Sequence, residues 1–347
     1  MISVFLWALA LAAICWSFYG RAQWLAGLYT VGLWWVAPHL ATFNFGLGTL
    51  MSESVSTALF IFGLAVLARA APSRRGLALS GVAFGAAALT RPYFEFVLLH
   101  PLLLIGAAGS VWSWYRNRKG AGGPRAPWAV ALFTVALSAQ AITVPWRVYR
   151  LAEFGSPSLT NFDQLTNWAF VADEQLPTFH HSGNAACHAD PDLCELVRAN
   201  RADLRPSLVK KLALMTAVTR PLAWARFKWA NLDWLWFGAP WGDLSRYSSL
   251  AMEGSILLGL FVLVTFAAFV RVVQGGRATA PLEVIWIAFV GANFLGFFLF
   301  QFEWRYSHAL RVAAYLMPLL FAAVPRSQPK PEVGIEVSGR SAASGPA

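Results

Sequence analysis

Charge is what this sequence has least of. Of its 347 residues, 13% are charged and 57% are hydrophobic, where a soluble domain carries about 25% charged residues. A chain so poor in charge cannot clothe a water-facing surface, which excludes an ordinary soluble globular domain. Cysteine is nearly as scarce. There are three, too few for a disulfide-stapled fold. Cys15 sits within an apolar run. Cys187 and Cys194 fall in the one large hydrophilic stretch and form a candidate disulfide if that stretch lies outside the cytoplasm. A Walker loop, a dinucleotide fingerprint and a Ser-His-Asp elbow are all missing. ATP-driven transport and soluble nucleotide chemistry therefore lose support. His180, His181 and His188 with Asp190 match no standard zinc spacing and read as solvated loop residues ahead of a metal site.

What the chain has instead is length of apolar run. Nine segments, at roughly 2–18, 24–38, 54–68, 76–90, 93–113, 127–146, 253–273, 281–302 and 309–325, reach or approach the ~20 residues that span a bilayer as a helix. The 17 tryptophans and 26 phenylalanines are the aromatics expected at membrane interfaces. The fold class is all-α, a polytopic transmembrane helix bundle. Six membrane helices fall in 1–146 and three in 253–325. Between them lies a loop domain over 147–252, and residues 326–347 form a polar tail expected to be disordered. Residues 207–237, with Lys210, Lys211, Arg220, Arg226 and Lys228 among Leu, Trp and Phe, read as amphipathic helices lying in the interface plane.

The net charge of +10 is not a nucleic-acid footprint, because its cations lie in short connections between apolar segments. One set of connections holds thirteen of them: Arg21, Arg69, Arg74, Arg75, Arg116, Arg118, Lys119, Arg125, Arg271, Arg277, Arg326, Lys330 and Arg340. The other holds three, Arg91, Arg305 and Arg311. The richer set is cytoplasmic by the positive-inside rule. The 147–252 loop is then extracytoplasmic, and the expected location is a bacterial inner membrane with this loop on the periplasmic side. The same orientation starts the first segment outside the cytoplasm, with Arg21 following it and no basic residue ahead. This leads us to expect an upstream helix or an uncommon mode of insertion.

The bundle is organised around Gly81 to Pro92, a run of small residues that ends in Arg91-Pro92. Gly81 and Gly85 allow close helix approach. Arg91 fits two roles, a cation held at a cavity or a side chain snorkelling to lipid phosphates. The outer connections also carry His39, Glu53, Arg147 and Arg150, then Glu303, Arg305, Tyr306 and His308. Four connections thus bring ionisable residues to one membrane face, which supports a pocket better than any single residue does. Bland readings stand beside each. Glu53 caps a helix with Ser52, Glu303 pairs with Arg305, His39 and His308 lie in the interface, and Arg147 snorkels.

These stretches resemble the GT-C superfamily of membrane glycosyltransferases, close to bacterial protein O-mannosyltransferases and lipid A aminoarabinose transferases. The carriers are Gly81 to Pro92 ending Leu-Thr-Arg-Pro, and Ser52-Glu53 opening a helix after Pro38-His39. Pro145-Trp146-Arg147 leading into Glu153-Phe154-Gly155-Ser156-Pro157, and Glu303-Trp304-Arg305-Tyr306, complete the pattern. The resemblance implies sugar transfer from a polyprenyl-phosphate donor to a cell-envelope acceptor on the outer face. It implies Glu53 as an acid, base or metal ligand, and Arg91 and Arg305 at the lipid phosphate. Arg147, Tyr306 and His39 then line the substrate, with Glu303 and His308 in support. It calls for no certain cofactor, with a divalent metal as the one candidate. The family's principal catalytic aspartate lies in a first outer loop that precedes the helix at which this sequence opens. Two other classes stay open, a flippase or transporter for a lipid-linked substrate and a truncated non-catalytic homologue.

Overall fold

The structure is a computed structural model that describes residues 2–17, 52–69, 73–118, 127–159, 218–222, 224–225, 248–275, 281–299 and 308–323. Among them are eight α-helices and no strand. These are α1 (Ile2–Ser17), α2 (Ser52–Ala68), α3 (Arg74–Thr90), α4 (His100–Arg118), α5 (Pro127–Phe154), α6 (Ser248–Gly275), α7 (Pro281–Leu299) and α8 (His308–Ala323). A π-helical turn, Glu95–Leu99, leads into α4. Three stretches are long and apolar enough to cross a membrane: Glu95–Tyr115, Trp128–Phe154 and Gly254–Gln274. Only 22% of the most apolar window of the third is buried. Val262, Leu263, Phe266 and Phe269 point outward from it, a surface that water would not tolerate and lipid does. α1, α2, α7 and α8 are shorter apolar helices. The predicted segment 24–38 and most of 147–252 lie outside the described residues.

Small residues set the spacing of the bundle. A Cβ on Gly81 would strike the Val135 carbonyl oxygen of α5, and one on Gly85 would lie 2.6 Å from the carbonyl oxygen of Ala139. Backbone meets backbone here, so α3 and α5 pack with almost no side chain between them. Gly106 makes the same approach from α4, its Cβ position 2.8 Å from the Phe133 nitrogen of α5. Ser80 Oγ donates to the Gly63 carbonyl at 3.0 Å and ties α3 to α2. An aromatic core joins α2, α3, α7 and the turn after Arg91. In it Phe60 lies 4.5 Å from Phe289, and Phe94 stacks on Phe289 at 6.1 Å.

Contacts along the helices give their directions. Trp7 Nε1 donates to Ser54 Oγ at 3.0 Å near the starts of α1 and α2, and Arg69 lies over Trp16 near their ends. These two helices therefore run parallel. α3 is antiparallel to α2 and parallel to α5, and α4 is antiparallel to α5. Thr265 accepts from Trp286 at 3.2 Å and Arg271 meets Glu283 at 3.3 Å, so α6 and α7 are antiparallel. The bundle consequently has two distinct ends. One holds Arg91, Arg147 and the starts of α2 and α8. The other holds Arg69, Arg74, Arg75, Arg118 and Arg271.

Several helix ends differ from expectation. α5 continues through Pro145 to Phe154, so Arg147 and Arg150 sit on a helix and not in a loop beginning at 147. Proline withholds one N–H and disfavours a helix interior, but here Pro145 is exposed on the outer side of α5. Cys15 is free and exposed on α1.

Candidate functional site

The site grows from two prolines. Pro92 stops α3, and Arg91 takes the C-cap with an extended backbone, φ −138° and ψ 99°. The chain turns at once, with Phe94 N donating to Arg91 O at 3.0 Å and Glu95 N to Pro92 O at 2.9 Å. Pro101 then shapes the next turn. Its ring collides with the carbonyl four residues back in a regular α-helix. The wider π-turn relieves that clash, with His100 N bonding to Glu95 O. Such turns inside helices recur at functional sites. Glu95 is the acidic residue this turn carries, and its side chain is 1% exposed.

Arg147 answers it. Its Nη1 lies 2.6 Å from Glu95 Oε1. Two further contacts hold the guanidinium, with Nε donating to Thr143 Oγ1 at 2.9 Å and Nη1 to the Pro157 carbonyl at 3.1 Å. Thr143 is fully buried one turn earlier on α5. Ser158 Oγ donates to the second carboxylate oxygen of Glu95 at 3.2 Å. His100 Nε2 stands 3.7 Å from Glu95 Oε1, with its side chain 42% exposed. Tyr93 OH donates to Asn293 Oδ1, and Asn293 Nδ2 donates to Phe289 O at 2.7 Å, which fastens this turn to α7.

Donors remain. Arg147 Nη2 and Arg150 Nε are closed off from solvent and find no acceptor among the described residues. The two arginines are three residues apart on α5 and so are neighbours on one helix face. Arg91, at the C-cap of α3, lies at the same end of the bundle. Of these guanidinium groups, that of Arg147 contacts the buried Glu95 carboxylate. Arg311, which the charge count assigned to an outer connection, lies inside α8 with 4% exposure.

Of the residues singled out by sequence, Arg91 and Arg147 share this end. Glu53 lies in the first turn of α2 and His308 starts α8, both at this end, but only their backbones are described. His39, Glu303, Arg305, Tyr306, Cys187 and Cys194 lie outside the described residues. The sequence reading missed Glu95. The signal was present: it is the one acidic residue in the apolar segment 93–113, and an intramembrane carboxylate marks a functional site by default. No group of three or more metal-ligating side chains occurs among the described residues. No protein-family model, no curated protein and no solved structure matches this chain.

Proposed function

We propose that this chain is a nine-span membrane glycosyltransferase of the GT-C type. It transfers a sugar from a polyprenyl-phosphate donor to a cell-envelope acceptor at the outer face of a bacterial inner membrane. One observation carries the reading. The Arg91 end of the bundle holds guanidinium N–H groups, on Arg147 and Arg150, that are shut off from water and have no acceptor among the described residues. An anion with several oxygens satisfies them, and arginine pairs with phosphate in a forked geometry. Phosphate is the leaving group when a polyprenyl-phosphate sugar gives up its sugar. Its developing charge is best met by donors already fixed in place.

The remaining parts follow from placement and from the resemblance in sequence. Glu53, at the start of α2 on the same end, takes the proton of the acceptor hydroxyl or holds a divalent metal. Arg91 and Arg305 grip the lipid phosphate. The stretch between α5 and α6, residues 155–247, covers the acceptor from the extracytoplasmic side. Anchoring the donor in the bilayer raises its effective concentration at the site.

The test is transfer of radiolabelled sugar from polyprenyl-phosphate sugars by protein reconstituted in lipid. The unmutated chain should transfer, and Arg91→Ala should lose about 100-fold or more of that rate while remaining folded. Binding of the donor lipid without any transfer would favour a flippase or transporter, and normal turnover by Arg91→Ala would remove that residue's role.

A further inference from the structure

The ion pair at the centre of this site also holds the chain that leaves it. After Phe154, Gly155 adopts φ +68° and its N–H caps α5 on the Leu151 carbonyl at 3.1 Å. A left-handed residue at this position suits glycine and reverses the chain. Residues 156–159 then fold back on the bundle. Leu159 reaches the apolar core with 4% exposure. Two polar contacts pin the segment on the way, Pro157 O to Arg147 Nη1 and Ser158 Oγ to Glu95 Oε2. Both pinning groups belong to the same ion pair.

We propose that Glu95 is a positioning residue: presented by the π-turn ahead of Pro101, it holds the Arg147 guanidinium and through it docks residues 156–159 on the bundle. This segment is the start of the long polar loop, so the pair fixes where that loop leaves the membrane helices. It also immobilises Arg147 with Nη2 still free to donate. The inference rests on the glycosyltransferase reading only for what Nη2 grips, the donor phosphate. The docking stands without it. Arg271–Glu283 at the opposite end is the contrasting case. It joins three helices, through Arg271 Nη1 to Phe321 O at 3.3 Å, and among the described residues it holds no loop segment.

The docking is tested by maleimide labelling of Leu159→Cys in purified full-length protein, with Cys15, Cys187 and Cys194 changed to serine. Labelling should be slow when Glu95 is intact. Glu95→Gln and Arg147→Ala should each speed it by about tenfold or more, and the double variant no further, because the two residues act as one unit. An unchanged rate in Glu95→Gln, or additive rates in the double variant, would overturn the proposal. If Glu95→Gln does not fold, Arg147→Lys decides on the same readout, since lysine keeps the charge and loses the fork. In transfer assays Glu95→Gln should raise the donor KM and lower kcat by about tenfold each and leave the acceptor KM within about twofold. Equal losses in all three would mark a merely structural role and overturn the assignment. Absence of transfer by the unmutated chain would remove the reaction, while the labelling still decides the docking.

Discussion

A carboxylate sealed inside an apolar helix has to be answered by a cation, and removing one partner of such a pair is worse than never having had it. Glu95→Ala should therefore destabilise the protein by about 3–5 kcal/mol, read by thermal unfolding in detergent, because it strands Arg147. Thr143→Val keeps the shape of the side chain and leaves Arg147 Nε without its acceptor, at an expected cost of about 1–3 kcal/mol. Glu283→Gln at the opposite end is the control. It should lower stability and leave sugar transfer unchanged, whereas Glu95→Gln should weaken donor use. Glu95 went unread although a lone acid in an apolar segment is a signal, and its pairing carried no signal in sequence. Arg147 lies on another helix, and only the packing of α4 along α5 brings the two together.

At the scale of elements, two features of the sequence translate directly. Gly81 and Gly85 mark where α3 lies against α5, and the structure leaves no room for a Cβ at either position. Gly85→Val should push the helices apart and cost about 1–3 kcal/mol by overpacking, whereas valine at Gly259, where none of the described residues stands within 4 Å, should be close to neutral on the same melting assay. The stop at Arg91-Pro92 was equally legible. Pro145 was not, because proline predicts an end and α5 carries on to Phe154. Nor was the π-turn, since Pro101 signals a disturbed helix without saying how the chain absorbs it. Pro101→Ala should let the turn relax towards a regular α-helix and swing Glu95 away from Arg147, which the Leu159→Cys labelling would register as a faster rate.

Across the whole molecule, the apolar runs predicted helices and the described residues contain helices alone. The alternation of basic connections predicted two unlike ends, and the helix directions supply them. Arg69, Arg74, Arg75, Arg118 and Arg271 gather at one end, while Arg91 and the Glu95–Arg147 pair lie at the other. The candidate site was less legible than the fold, because Arg91 at the end of α3, Glu95 on the π-turn and Arg147 on α5 share one end only once small residues let those helices close. The central claim is that the Arg91 end holds the phosphate of a lipid-linked sugar while the sugar departs. It is tested most directly by single-turnover release of polyprenyl phosphate from a polyprenyl-phosphate sugar in the presence of an envelope acceptor. Release by the unmutated protein is expected, with a loss of about 100-fold or more in Arg147→Ala. Equal release by both proteins, or none by either, would contradict it.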